Sequence, residues 1–366
     1  MISLSLPHPF PDFLVFHAAT WAWSAGKTDL IYSVGGLTNL QNVLYADGLT
    51  RPLLFRPFLY PPTWLVLVLP FGALAFAQAS ALFMAATVVM ATLLVGRHDR
   101  WGWLAVLASP AAAWTVLAGQ NSFLTLGLFW GGLRLVERAP VAAGLLLGLL
   151  SYKPQVWLLV PVALLAARRW RALGWTVVTA GGLVLLSAAV LGPDLWLGYL
   201  EAMREAGSPG IVNRMFEGVF RQMTTPWAMA RILGLPPGPS GTLQLVASLL
   251  AGVAVWIAFR RFPSGEARIA VLATATLLAS PYSLNYELLL LMPAVVSQFR
   301  RGAAHGFLRG EWSLHAVLWL MPYLIVVLND LGLPLAPAVL LLFGASAWVR
   351  LGNPAKVEWT ARARAG

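Results

Sequence analysis

The chain has 366 residues, 59% hydrophobic and only 11% charged, with a net charge of +11 and a mean hydropathy of +0.73. A soluble domain carries about 25% charged residues, so this composition excludes a chain whose whole surface faces water. The basic balance does not point to nucleic acid, because the positive residues fall in short clusters between apolar runs, and the lack of cysteine removes disulfides and thiolate metal sites.

Residues 1–61 mix aromatics, Pro and Gly. They contain two stretches of helical character, Phe13 to Ala25 and Leu30 to Tyr45, expected to lie on the membrane surface. Met1 to Pro11 lacks the charged start and long apolar stretch of a cleavable signal. Apolar spans follow at 62–77, 79–95, 101–118, 122–136, 140–150, 155–167, 173–191, 242–260, 267–280, 284–299, 314–328 and 335–349. A bilayer core takes about 20 helical residues, fewer where a helix is short or re-entrant. The spacing therefore predicts an all-α polytopic membrane protein with about ten to twelve transmembrane helices, and the missing period-two alternation argues against a barrel. Residues 1–366 read as a single integral membrane domain, with 1–61 an extracytoplasmic surface segment and 193–240 a long extracytoplasmic loop. No internal repeat is visible.

The arginines sort the loops. Arg97 to Arg100, Arg134 to Arg138, Arg168 to Arg171, Arg260-Arg261, Arg300-Arg301 and Arg350 fall on one side, as the positive-inside rule requires of cytoplasmic loops. Gly119 to Ser122, Ser151 to Gln155, the 193–240 loop, Ser280 to Glu287 and Leu328 to Pro334 fall on the other. Only the start breaks the alternation. Counting 62–77 and 79–95 as two crossings places the first sixty residues on the arginine side, so either one of them does not cross or a boundary is displaced.

The polar residues that interrupt this pattern are the candidates for chemistry, because an ionisable group in an apolar segment is costly and is kept where a polar cavity needs it. Asp12 opens an apolar helix, as a cap for its N–H groups or as a general base. Tyr60 precedes the paired prolines Pro61-Pro62. Gln120 and Asn121 begin a span, as caps or as sugar or phosphate contacts. Lys153, one of three lysines, stands between two apolar runs on the side that should be poor in cations, followed by Pro154 and Gln155. Its ammonium can snorkel or neutralise a phosphate. Tyr282, Asn285 and Glu287 join two further spans, and Glu287 needs a hydrogen-bonded cavity if it enters the helix. Asn213 and Arg214, with Glu217 and Arg221, form a solvated helix face or a substrate contact in the long loop.

With these residues in place the chain resembles glycosyltransferase family 87, the polyprenyl-phosphate-mannose-dependent mannosyltransferases of the GT-C superfamily. The matching pieces keep the family's order: Asp12-Phe13 through Ala25-Gly26 and Tyr32, Tyr60-Pro61-Pro62, Gly119-Gln120-Asn121, Ala143-Gly144-Leu145 through Lys153-Pro154-Gln155, the loop around Asn213, and Ser280-Pro281 through Tyr286-Glu287. The resemblance implies a GT-C-like helical bundle in the inner (plasma) membrane with an extracytoplasmic site. There a hexose, mannose in the family, passes by inversion from a polyprenyl-phosphate donor to a lipid or glycan acceptor, with no metal or other cofactor. It implies that Asp12 is the catalytic base and Lys153 a donor-phosphate ligand. The alternative left open by the residues alone is a lipid or solute transporter that cleaves no bond. Two features depart from the family. Its members carry a transmembrane helix before the Asp segment, so that helix is lost or the chain start lies upstream; and Glu287 stands where relatives often carry Asp.

Overall fold

The computed structural model describes residues 10–206 and 219–352, where the regular structure is helical apart from one antiparallel bridge between Met223 and Leu284. Asn213, Arg214 and Glu217 lie outside the described residues. The protein is an all-α polytopic membrane protein.

The chain opens with α1 (Pro11–Ser24) and α2 (Gly36–Leu44), then runs irregularly to α3 (Pro62–Val68) and a 3-10 turn at Leu69–Ala73. Helix α1 is not laid on a surface. Phe13, Leu14, Phe16, Ala18 and Ala19 are all buried, because the helix is apolar around most of its circumference and inserts among α3 and α4 (Phe76–Leu94). The piece at 62–77 does not cross. Pro70 and Gly72 stop α3 after two turns, and the Leu74 carbonyl accepts a hydrogen bond from His17 Nε2 (3.0 Å) on α1. Helix α4 thus starts beside α1, and the alternation of the loops closes.

From there the chain shuttles between two ends. Helices α5 (Arg100–Leu107) and α6 (Pro110–Ala118) form one broken span bent by 56°. Ser109 caps α6 by accepting from the Ala112 N–H, and Pro110 fills its first turn. Next come α7 (Ser122–Leu135), α8 (Pro140–Leu149), the short α9 (Pro154–Trp157), α10 (Leu159–Ala166), α11 (Trp170–Leu191) and α12 (Asp194–Ala206). After the undescribed stretch follow α13 (Pro226–Ile232), α14 (Pro237–Arg261), α15 (Glu266–Ala279), a 3-10 segment at Asn285–Leu291, α16 (Met292–His305), α17 (Glu311–Asp330) and α18 (Ala336–Leu351).

Among the described residues, length and apolarity qualify α4, α11, α14 and α17 as spans, and the α5–α6 pair raises the number to up to 5. This is fewer than the ten to twelve expected. The remaining apolar stretches fold as shorter helices, cut where Pro154 and the 3-10 segments fall. The long helices turn apolar side chains outward: Leu185 on α11 is 72% exposed and Leu250 on α14 is 64% exposed. Continuous faces of this kind are stable only against lipid.

The arginine loops meet at one end and compensate one another. Arg134 pairs with Glu266, Arg300 with Asp99 and Arg350 with Glu311, while Arg169 reaches Glu137 at 2.6 Å. The opposite end gathers the start of α1, the Gly119–Ser122 turn, Lys153 and the 280–287 loop.

Close helix contact in lipid relies on small residues. Gly144 and Gly148 on α8 let the backbone of α11 approach so nearly that a Cβ at Gly148 would lie 2.4 Å from Thr179 Cβ and 2.7 Å from the Thr176 carbonyl. Replacing Gly148 by Ala is expected to force α8 and α11 apart. It should lower stability by about 1–3 kcal/mol, the usual range for overpacking, read as a lower thermal midpoint in detergent. Gly174→Ala, which meets nothing within 4 Å, should cost no such strain and serves as the control.

Candidate active site

Each side chain of the site stands where the local sequence interrupts a helix. At the start of α1, Phe10 has a left-handed φ of 60° and Pro11 occupies the first turn, so Asp12 follows inside the helix. No side chain caps α1, so Asp12 does not act as a cap. Its Oδ1 accepts from Arg56 Nη1 at 2.7 Å and its Oδ2 from Gln120 Nε2 at 3.2 Å.

Gln120 and Asn121 sit in the turn between α6 and α7. Gly119 closes α6 with φ 71°, a conformation suited to glycine, and a Cβ there would lie 2.8 Å from the Cβ atoms of both Phe10 and Phe13. The chain thereby reverses against the start of α1. Gln120 Nε2 also donates to the Tyr286 hydroxyl (3.1 Å), and its Oε1 accepts from the Tyr60 hydroxyl (3.3 Å) and the Asn121 N–H (2.9 Å).

Lys153 is placed by Pro154, since a residue before proline is pushed out of the helical region. The chain leaves helix there (φ −125°, ψ 77°), and the side chain turns into the bundle, 2% exposed. The ammonium donates to Asn121 Oδ1 (3.0 Å) and pairs with Glu287 Oε1, lies 6.0 Å from the Tyr60 ring centre, and so does not snorkel. Beneath it the Tyr152 hydroxyl bonds Thr125 Oγ1 (2.8 Å), and the Tyr152 ring packs on Trp64 at 4.6 Å.

Glu287 belongs to the 3-10 segment Asn285–Leu291, whose 7 residues exceed the usual three or four or so. Asn285 holds the start of this segment by accepting from the Tyr286 N–H and donating to the Pro322 carbonyl of α17, both at 3.0 Å. Trp130 Nε1 holds its far end through the Leu290 carbonyl (2.8 Å).

The result is one polar network from five distant segments, running Arg56–Asp12–Gln120–Asn121–Lys153–Glu287. Its two ends differ in access. The Asp12 and Arg56 side chains are 21% and 28% exposed, whereas Glu287 is 8% exposed. Near Lys153, Asn121 Nδ2 and Glu287 Oε2 are buried without a partner, as are Ser122 Oγ and Ser283 Oγ in the adjoining turns. A free amide donor beside a free carboxylate acceptor is the arrangement that reads a hydroxyl group. Burial first, and then the charge of Asp12, raise the Tyr282 hydroxyl above the usual tyrosine range; burial first, then Glu287, do the same for Tyr60. Both phenols are therefore neutral donors near pH 7. Among the described residues no group of three or more metal-ligating side chains comes together.

Asp12, Tyr60, Gln120, Asn121, Lys153 and Glu287 are thus assembled as a unit, with Tyr282 beside Asp12. Gln155 is half-buried and makes no hydrogen bond to the network. Asn285 uses both side-chain atoms on backbone groups. Two members were not singled out as site residues in the sequence, Arg56 and Tyr286. Arg56 carried no readable signal, because the loop alternation left the side of the first sixty residues open.

The model of Glycosyltransferase family 87 matches residues 58–281. A curated relative from Mycobacterium tuberculosis (strain CDC 1551 / Oshkosh), the polyprenol-phosphate-mannose-dependent alpha-(1-2)-phosphatidylinositol pentamannoside mannosyltransferase, is 25% identical over 295 residues, 74% of this chain and 66% of the relative. The chain therefore spans just under two thirds of that protein's length. No solved structure matches. Tyr60, Gln120, Asn121 and Lys153 fall inside the matched region, and hydrogen bonds attach Asp12 and Glu287 to it from outside. The chain belongs to glycosyltransferase family 87.

Proposed function

We propose that this membrane glycosyltransferase moves a hexose, mannose on the strength of its relative, from a polyprenyl-phosphate donor to a lipid or glycan acceptor at the end of the bundle opposite the arginines. The observation that carries the reading is the continuous network joining Asp12 to Lys153 and Glu287. The positive-inside rule makes the arginine end cytoplasmic and the site extracytoplasmic, in the inner membrane of the cell.

The chemistry divides along the network. Asp12, at its accessible end, removes the proton of the acceptor hydroxyl as that oxygen attacks the anomeric carbon. The bond from that carbon to the phosphate oxygen breaks, and the electron pair leaves with the polyprenyl phosphate. Attack opposite the leaving group inverts the anomeric centre. Gln120 holds the Asp12 carboxylate by one oxygen and Arg56 by the other, so both rotations of the base are fixed. Lys153 already faces Glu287, and a paired buried ammonium offers little net field to a distant anion. The accessible cation beside the base is Arg56, whose guanidinium suits a departing phosphate. Lys153 then serves the sugar: it orients Asn121 and Glu287 so that Asn121 Nδ2 and Glu287 Oε2 meet hexose hydroxyls.

Membranes supplied with labelled polyprenyl-phosphate mannose test the assignment. Release of polyprenyl phosphate with labelled acceptor is expected, whereas movement of the intact donor would make the protein a transporter. Asp12→Asn should lower turnover by about 10²–10⁴ without loss of protein from the membrane; turnover like that of the unaltered chain removes Asp12 from the role of base.

The buried pair makes a separate prediction. Lys153→Met alone strands Glu287 in an apolar bundle and should cost about 3–5 kcal/mol of stability. The double variant Lys153→Met, Glu287→Leu should recover most of that stability in thermal unfolding while remaining inactive. Recovery of transfer in the double variant would show that the pair only supports the fold.

A further inference from the structure

A cavity lined by both polar and apolar residues lies at the arginine end, away from the Asp12 network. It holds about 340 Å³ between the start of α15 and one face of α16, and is lined by Ser264, Gly265, Gln298, Arg301 and Arg350. Helix α15 opens into it without a side-chain cap, because Gly265 occupies the cap position. Its first N–H groups lack partners within the helix and carry the positive end of the helix dipole. The acidic residue of that first turn, Glu266, lines the same cavity, but its carboxylate is engaged by Arg134 and by the Ser297 hydroxyl.

An independent observation points to an occupant. Gln298 is 5% exposed and lines the cavity, yet neither Oε1 nor Nε2 has a hydrogen-bond partner. A buried amide left open on both atoms is costly and is filled by a ligand or by water. Arg301, three residues on along α16, shares its helix face. Ala267, Ala270, Ala294 and Leu351 add an apolar wall.

We propose that this cavity binds the phosphate of an anionic lipid headgroup in the leaflet at the arginine end. The α15 N–H groups, Gln298 Nε2 and Arg301 face the phosphate oxygens, Gln298 Oε1 accepts from a headgroup hydroxyl, and the alanine wall takes the glycerol and first acyl carbons. That wall favours a lipid over free phosphate, and basic pockets between helices are a recurrent seat of such headgroups. The inference stands independently of the sugar-transfer reading.

The test is retention of lipid by the full chain purified in detergent, read by native mass spectrometry with phosphatidylglycerol, phosphatidylcholine or inorganic phosphate added. Phosphatidylglycerol should be retained in preference to phosphatidylcholine. Gln298→Leu and Arg301→Gln should each weaken that retention about tenfold, the loss expected when a hydrogen bond to a charged group is removed. Size-exclusion profiles and helical circular dichroism matching the unaltered chain show that each variant is folded, and Arg301→Gln, at the cavity rim, gives the reading if Gln298→Leu is not. Equal retention of both lipids, or undiminished retention of phosphatidylglycerol by folded variants, overturns the site. Displacement of phosphatidylglycerol by an equal concentration of inorganic phosphate overturns the lipid assignment.

Discussion

An ammonium almost wholly withdrawn from solvent sets the terms for this protein. Lys153 is surrounded by apolar helices, and a charge there is tolerated only with partners in good geometry. Glu287 supplies the opposite charge and Asn121 a neutral acceptor, so three separated segments must meet at one point. Each is shaped to do so by an interrupted helix: proline after Lys153, a left-handed glycine before Gln120-Asn121, and a 3-10 run carrying Glu287. The polar network is thus a packing constraint first. Its outer members, Asp12 and Arg56, join it through Gln120, which hydrogen-bonds in both directions.

Much of this arrangement was legible in the sequence because loop alternation is a coarse, global property. Arginine clusters separate two sets of loops, and the residues of one set do assemble at one end. The class of the fold follows from composition, but the number of full-length spans does not. An apolar run has the same composition whether it is one helix or two short ones, and the breaks at Ser109-Pro110 and Lys153-Pro154 decide which. The irregularity at the start was readable in principle, since Pro70 and Gly72 lie inside the stretch that fails to cross. Arg56 was hidden for another reason: it lies in an irregular segment with no periodicity to give it a face, and its partner is forty-four residues away. Asn285 and Gln155 show the limit of reading polar residues by position alone. Nothing in the pattern distinguishes an amide facing a cavity from one bonded to a carbonyl on the next helix, as Asn285 is to Pro322.

The two ends of the bundle handle charge in opposite ways. At the arginine end, carboxylates and guanidiniums pair across helix termini, often half-exposed, where each such pair contributes little to stability but collectively fixes which loops are neighbours. At the other end the charges are fewer and more deeply placed, and donors and acceptors near them are left open. Open buried polar atoms are a cost that a folded chain ordinarily removes. Asn121 Nδ2 and Glu287 Oε2 are two such atoms that flank a single buried ion pair, and on the proposed reading a sugar hydroxyl satisfies them.

The same contrast bears on where irregular backbone can stand. In lipid an unpaired N–H or carbonyl is expensive, so non-helical backbone at membrane depth survives only when protein surrounds it or a polar cavity receives it. Here the breaks next to Lys153, at Gly119 and at Asn285 converge on one region, and side chains close many of the freed groups: Asn285 bonds the Tyr286 N–H, Gln120 the Asn121 N–H, and Trp130 the Leu290 carbonyl. A bundle built only to span a membrane would gain from repairing these breaks with continuous helix. Retaining three of them against one another requires compensating contacts from every neighbouring element. On the proposed reading the return on that strain is a polar pocket in an apolar body, accessible from the side where Asp12 and Arg56 meet solvent and closed by ion pairing on the side where the arginines gather.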